Sequence, residues 1–151
     1  MGCNEMIKVN LIAVGKLKEK FWADAINEYK KRISRFAEFS IIELNEEKTL
    51  EKEGDEILKK AKGYVIVMDV MGILIDSPGI ADTFLSALNK GKSEISIIIG
   101  SSEGLCEDVK KRADKKVSFG RVTYPHQLMR VIVCEQIYRA LTIMNHVTYH
   151  K

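Results

Sequence analysis

Two side chains near the end of the sequence, Tyr149 and His150, have the types needed for proton transfer and for contact with a planar ring. An imidazole has an unperturbed pKa of about 6.5, so His150 is a candidate base near neutral pH. The Tyr149 hydroxyl can orient a bound group, and its ring can stack on another ring. A histidine close to a chain end is also commonly only solvated, and the sequence leaves both interpretations open.

The predicted helix before this tail carries further charged side chains. Glu135 and Arg139 stand four residues apart, in the order that favours an ion pair within a helix, and Arg130 is an isolated charge. These charges are interpreted either as surface salt links or as functional groups. Pro125 fits the first position of the helix. Apolar residues cover more than one helix face, which predicts packing against both a sheet and a partner subunit.

The elements that would position these residues alternate between strand and helix. Apolar runs of strand length predict strands, and amphipathic or capped segments predict the helices between them. Ser77 is the predicted cap of the third helix. The predicted strands are 7–14, 39–44, 64–70 and 95–99, with an extended run from 118; the predicted helices are 17–36, a short one around 57–58, 77–89, 105–113 and one from 125.

This alternation predicts an α/β fold, with a mainly parallel sheet and helices on both faces. Ligands bind such sheets beyond the carboxyl ends of the strands, and the predicted loops 68–72, 100–104 and 119–124 lie there. Glycine permits close approach of a ligand in such a loop, although many glycine turns hold no ligand. Neither a GxGxxG nor a GxxxxGK[ST] pattern is present, which disfavours a dinucleotide site.

Length and composition fit one domain over residues 1–151, with 46% hydrophobic and 30% charged residues. The formal charge of +3, from 24 Lys and Arg against 21 Asp and Glu, permits contact with RNA without indicating it. Cys3, Cys106 and Cys134 show no metal-ligand spacing, so free thiols are predicted, with no disulfide and no metal. No apolar run spans a bilayer and residues 1–5 begin no signal segment, which predicts a cytoplasmic protein without membrane contact.

Several segments of the chain resemble one family. They are IKVNLIAVGKLKEKFW at the start, KEGDEIL in the middle, IIIGSSEGL at the glycine loop, and TYPHQLMRVIVCEQIYRA with the terminal YHK. By these segments the chain resembles the SPOUT-class methyltransferases, specifically the ribosomal RNA large subunit methyltransferase H family, which methylates N3 of a pseudouridine in bacterial 23S rRNA. The resemblance spans nearly the whole chain, and its last segment is the most specific.

The resemblance implies a fold with a trefoil knot in the C-terminal half, a homodimer, S-adenosylmethionine as methyl donor, and 23S rRNA within the ribosome as partner. It also implies where the cofactor binds. The positions that match the family's cofactor contacts are Met68, Gly100, Phe119, Gly120, Arg121, Val122, Thr123 and Tyr124.

The resemblance further implies direct methyl transfer to a ring nitrogen whose proton must be removed. His150 is then the candidate base, and Tyr149 would orient the target base or stack on it. His126 is interpreted as structural. Arginines 121, 130 and 139 and Lys151 are candidates for contact with RNA phosphate.

Two residues depart from the family pattern, Ser101 at a position where a second glycine is usual and Met68 in place of leucine. Ser101 motivates an alternative function, a non-catalytic RNA-binding or ribosome-binding protein of the same fold. A nicotinamide or nucleotide enzyme on a similar sheet is a third possibility, disfavoured because the phosphate-binding pattern is missing.

Overall fold

A computed structural model of the chain describes residues 6–151. Strands and helices alternate through this range, as the apolar pattern predicts. The elements are β1 (Ile7–Val14), α1 (Lys20–Ile33), β2 (Ala37–Leu44), α2 (Leu50–Lys60), β3 (Tyr64–Leu74), α3 (Ser77–Asn89), β4 (Glu94–Ile99), α4 (Glu107–Arg112), β5 (Lys115–Ser118) and α5 (His126–Met144). The predictions that fall on residues 1–5, including the free thiol of Cys3, lie outside the described range.

The five strands of the described range form one parallel sheet in the order β2-β1-β4-β3-β5. Strand β1 lies between β2 and β4, with Val9 paired to Phe39 on one side and to Ile95 on the other. Since every strand runs in the same direction, all the carboxyl ends meet at one edge of the sheet. The predicted parallel α/β architecture is therefore confirmed.

Helices cover both faces of the sheet and divide the core in two. Helices α1, α3 and α5 pack on one face, where Ile33, Phe84 and Leu141 are fully buried. Helices α2 and α4 pack on the other, where Ile57 and Val109 are fully buried. Strand residues alternate between the two clusters because successive side chains point to opposite faces.

Strand β3 is longer than predicted, running to Leu74 rather than ending at Val70. Its pairing with β5 shifts register between Met68 and Ile73, so both residues pair with Val117. Gly72 is needed in this stretch, because a Cβ there would lie 2.8 Å from backbone atoms of Lys116. The apolar side chains of the extension are exposed, so no buried apolar pattern marks it as strand.

The last third departs from the prediction in two details. The extended run predicted from residue 118 is not a strand, since β5 ends at Ser118 and an irregular loop follows. Pro125 is the cap residue before α5 and not its first helical residue. Packing of α5 on the sheet is confirmed, and α5 also contacts α1 and α3.

Two smaller predictions need correction. The cap of α3 is Asp76, whose carboxylate accepts a hydrogen bond from Gly79 N at 2.8 Å, and Ser77 is the first helical residue. The short helix predicted around residues 57–58 is the longer α2, capped by Thr49.

The two cysteines of the described range, Cys106 and Cys134, are free thiols. Within residues 6–151, no helix is both long and apolar enough to cross a membrane.

Candidate functional site

A cavity of about 680 Å³ opens at the carboxyl edge of the sheet, and we name it the edge cavity. Its volume is in the range of small-molecule sites, which are commonly about 300–1,000 Å³. Three loops contribute to it, those following β3, β4 and β5. The lining residues are Met68, Asp69, Val70, Ile99, Gly100, Ser101, Ser102, Gly104, Leu105, Lys110, Val117, Ser118, Phe119, Gly120, Val122, Thr123, Tyr124, Pro125, His126 and Met129.

The structure brings seven of the eight residues predicted to contact a cofactor to the edge cavity. They are Met68, Gly100, Phe119, Gly120, Val122, Thr123 and Tyr124. Arg121 is not a lining residue. Its guanidinium donates hydrogen bonds to the backbone carbonyls of Val70 and Gly72, the second at 3.3 Å. Arg121 therefore ties the loop after β5 to the extension of β3.

The glycine loop after β4, residues 100–104, forms a tight turn beside the edge cavity. A Cβ on Gly100 would lie 2.6 Å from the carbonyl oxygen of Gly104 and 2.8 Å from the Leu105 side chain. Gly104 has a φ of 92°, which favours glycine. Ser101 has no positive φ, so its backbone conformation suits a serine. The departure from a second glycine at this position therefore causes no backbone strain.

The loop after β5 is held by Ser118, which is 1% exposed. Its hydroxyl donates to the carbonyl of Gly120 at 2.8 Å and accepts from the amide of the same residue at 3.1 Å. Gly120 has a φ of 123° and open space around its missing Cβ. The chain turns here, beside the edge cavity, before it reaches Pro125, the cap residue of α5.

The two predicted catalytic residues lie in a different place, together with two charged residues of α5. We name Glu135, Arg139, Tyr149 and His150 the tail cluster. Arg139 pairs with Glu135 at 2.6 Å, confirming the predicted ion pair within the helix, and lies over the Tyr149 ring at 4.7 Å. The Tyr149 hydroxyl donates to Glu135 at 2.7 Å, and Arg139 Nη1 lies 3.1 Å from His150 Nδ1.

This environment fixes the protonation of Tyr149. Burial raises the pKa of the phenol to about 12, and the hydrogen bond to Glu135 adds to the effect. Tyr149 is thus a hydrogen-bond donor at neutral pH. The Glu135 carboxylate also raises the pKa of Arg139, which therefore stays cationic and acts as donor to His150.

Comparison of the sequence with known protein families identifies the family of this chain. A family model described as "Predicted SPOUT methyltransferase" matches residues 7–150 of the chain. The chain belongs to the SPOUT methyltransferase family. A relative from Streptococcus pneumoniae strain CGSP14, named ribosomal RNA large subunit methyltransferase H, is 46% identical over 96% of this chain and the whole of that protein.

Two solved structures share the SPOUT fold at low sequence identity. A protein from Haemophilus influenzae Rd KW20, described as a "probable methylase family protein", aligns with a TM-score of 0.59 at 12% identity, over 97% of this chain and 72% of that one. The SpoU methyltransferase AviRb from Streptomyces viridochromogenes, in complex with AdoMet, aligns with a TM-score of 0.50 at 7% identity, over 89% and 58% of the chains.

Three ionisable residues of this SPOUT methyltransferase line the edge cavity and were not among its predicted site residues. Asp69 follows Met68 directly, Lys110 belongs to α4, and His126 begins α5. Asp69 Oδ1 accepts a hydrogen bond from Met71 N at 2.9 Å. The sequence carried a signal for His126 in the Pro-His pair, but its interpretation as structural placed it away from the ligand. Nothing in the local pattern marked Lys110.

Arg130 is buried, so the two interpretations of this residue, as a surface salt link and as a contact for RNA phosphate, are both wrong. Its side chain is 1% exposed and pairs with Glu43 at 2.7 Å. It also donates to the carbonyl of Gly15 at 2.9 Å, while its Nε has no partner among residues 6–151. Arg130 thereby joins α5 to the end of β1 and to β2.

Over residues 6–151, no three His, Cys, Asp or Glu side chains are grouped so that they would hold a metal ion. The charged groups at the edge cavity, Asp69 and Lys110, belong to different elements.

Proposed function

We propose that this protein is a cytoplasmic, S-adenosylmethionine-dependent methyltransferase that modifies N3 of a pseudouridine in large-subunit ribosomal RNA, within the ribosome. Membership of the SPOUT family supports methyl transfer, and the name of the Streptococcus pneumoniae relative supports ribosomal RNA as substrate. The nucleotide and the ribosomal context come from the resemblance of the sequence segments. The observation that carries the proposal is the edge cavity, which collects the loops expected to bind the cofactor.

The residues of the edge cavity fit an S-adenosylmethionine molecule. Apolar side chains, among them Ile99, Leu105 and Phe119, offer surfaces for the adenine ring. The open space at Gly104 and Gly120 lets a ligand approach the backbone. Lys110 is a charge complement for the carboxylate of the methionyl group, and Asp69 for its ammonium. The bound cofactor supplies an electrophilic methyl group on a sulfonium sulfur.

The chain's own residues must position the target base and accept its N3 proton. Arg139 is always a donor, so its partner His150 Nδ1 is an acceptor, and the neutral ring then carries its proton on Nε2. In our proposal, His150 Nδ1 gives up the hydrogen bond from Arg139 when substrate binds, and it then accepts the N3 proton of the base. Tyr149 remains protonated and donates to Glu135 or to a carbonyl oxygen of the base.

We also propose a homodimer in which the tail cluster of one subunit faces the edge cavity of the other. Neither Tyr149 nor His150 lines the cavity of its own chain, although methyl transfer requires the base and the donor to meet. The outward side of α5 carries Leu128 and Ile132, both partly buried and available for a symmetric contact. The trefoil knot is a further part of the proposal, supported by the family.

A titration with S-adenosylmethionine tests the proposed function first, followed by transfer of labelled methyl groups to ribosomes that lack the modification. Saturable binding at about one site per subunit or per dimer, with labelling of intact large subunits, is the expected result. Well-folded protein that binds no cofactor would contradict the proposal and favour the RNA-binding alternative. The RNA-binding alternative was motivated by Ser101 in place of a glycine. The backbone of Ser101 is unstrained, so this residue no longer supports the alternative.

A further inference from the structure

A buried carboxylate supports the glycine loop without lining the edge cavity. Glu53, near the start of α2, is 5% exposed. One of its oxygens, Oε2, accepts a hydrogen bond from Glu47 N at 3.0 Å, and the other, Oε1, accepts from the Ser101 hydroxyl at 3.2 Å. Both carboxylate oxygens therefore accept hydrogen bonds from the protein itself. Of the two donors, only Ser101 lines the edge cavity.

Ser101 also forms hydrogen bonds with other residues of the 100–104 loop. Its hydroxyl oxygen accepts from Glu103 N at 3.3 Å, and its carbonyl oxygen accepts from Gly104 N at 2.9 Å. Ser101 itself lines the edge cavity. A side chain anchored outside the cavity thus holds the residue that organises the turn inside it.

A second, independent contact shows that α2 also packs closely against the chain just after the 100–104 loop. Gly54, the neighbour of Glu53, approaches Cys106 so closely that a Cβ on it would lie 2.3 Å from the Cys106 sulfur. The same Cβ would lie 3.3 Å from a methyl carbon of Val109 in α4. Adjacent residues of α2 therefore support the glycine loop at Ser101 and the chain just beyond it.

We propose that Glu53 is a positioning residue for the cofactor site: acting through Ser101, it holds the 100–104 loop in the conformation that receives S-adenosylmethionine. This inference rests on the proposed function for the identity of the ligand. It assigns a use to the serine that departs from the family pattern, because a glycine at that position has no hydroxyl to offer to the carboxylate.

The first test needs no ligand. In Glu53→Gln the side-chain volume is kept, but the amide has one acceptor oxygen where the carboxylate has two. With that oxygen on Glu47 N, the Ser101 hydroxyl loses the carboxylate to which it donates and can only accept a weaker, neutral bond from the amide NH2 group. We expect the amides of Glu103 and Gly104 to exchange hydrogen about tenfold faster in the variant. The matched control is Glu56→Gln, on the same helix, whose carboxylate pairs with Lys59 at 2.6 Å; it should leave this exchange unchanged.

The second test measures the affinity for S-adenosylmethionine by calorimetry. Glu53→Gln and Ser101→Ala should each raise the dissociation constant by about tenfold. The double variant should bind no more weakly than the weaker single variant, because both changes remove one interaction. A role in stability alone would lower the melting temperature without this effect on affinity.

Two outcomes overturn the inference. Unchanged exchange at Glu103 and Gly104 in folded Glu53→Gln would show that the carboxylate does not hold the loop. Additive losses of affinity in the double variant would show that Glu53 does not act through Ser101. If Glu53→Gln fails to fold, Ser101→Ala alone decides, since an unchanged affinity in that variant contradicts the proposal. Absence of S-adenosylmethionine binding by the unchanged protein would instead reject the proposed function. The hydrogen-exchange measurement would still test whether Glu53 holds the loop through Ser101.

Discussion

The edge cavity is built mainly from loops, with backbone atoms and apolar side chains beside a few polar groups, whereas the tail cluster consists of four polar or aromatic side chains from the middle of α5 and from the residues after it. The position of the cavity follows from the parallel sheet, because the carboxyl ends of β3, β4 and β5 meet at one edge. The geometry of the tail cluster follows from side-chain pairing around Glu135. We infer that the first region binds the methyl donor and the second acts on the base.

The difference implies that variants in the two regions lose activity in different ways. In our proposal the edge cavity binds the cofactor, so a change there should weaken cofactor binding. A change in the tail cluster should slow the chemical step and leave cofactor binding as it was. Of the four substitutions that follow, the first two separate these effects and the other two test contacts that stabilise the fold, in order from the largest expected loss to the smallest.

Replacing His150 by asparagine should reduce methyl transfer by about 10²- to 10⁴-fold, because asparagine can keep a hydrogen bond to Arg139 but cannot accept the proton. The affinity for S-adenosylmethionine should not change. Single-turnover transfer to ribosomes measures the rate, and calorimetry the affinity. His146→Asn is the matched control, since His146 has a φ of 57°, which asparagine tolerates. Near-normal transfer by His150→Asn would remove this residue from the mechanism.

Gly100→Ala should weaken cofactor binding by about 100-fold, since the added Cβ lies 2.6 Å from a backbone oxygen and the loop must shift. Calorimetric titration checks the expectation. Gly91→Ala provides the control: its φ of 80° causes strain, but the site is open and lies outside the edge cavity. An unaltered affinity in folded Gly100→Ala would show that the cofactor does not use this loop.

Arg130→Met should lower the free energy of unfolding by about 3 kcal/mol, because it leaves the Gly15 carbonyl and the Glu43 carboxylate without their buried partner. Urea denaturation measures this loss. Arg32→Met removes an exposed ion pair with Glu28 and should have no measurable effect. Equal stability of the two variants would contradict the joining role of Arg130.

Tyr149→Phe should change the dependence of stability on pH. The pKa of Tyr149 is raised from 10.0 in the unfolded reference to about 12 in the folded chain. Its contribution to stability is therefore complete below pH 10 and is lost as the pH rises toward 12. Between these values the unchanged protein should lose stability faster than Tyr149→Phe in urea denaturation. Parallel curves for the two proteins would mean that Tyr149 is not held protonated by its surroundings.

The regular part of the fold could be predicted from the sequence because buried strands are apolar and β-branched. Strand β1 matches its predicted limits, Ile7–Val14, and β4 differs by one residue. The helix α2 was only partly predicted, since Ile57 and Leu58 are its main apolar signal among many charges. The extension of β3 was missed because its side chains are exposed and its pairing with β5 depends on tertiary structure.

The candidate site shows the same limit. Loop positions followed from the order of strands and from the family resemblance, and most of them line one cavity. Contacts between distant residues could not be predicted, because nothing in the local pattern encodes them. Arg130 meets Glu43, 87 positions away, and Ser101 meets Glu53, 48 positions away. The separation of Tyr149 and His150 from the cavity of their own chain was likewise invisible in the sequence.

The central claim is that the edge cavity of one subunit works with the tail cluster of its partner. It is tested by a heterodimer of Gly100→Ala and His150→Asn, purified through a different affinity tag on each subunit. One of its two sites combines an intact cavity with an intact tail, so methyl transfer should recover to about half the rate of the unchanged dimer. A heterodimer as inactive as either homodimer would contradict the claim and place both functions within one chain.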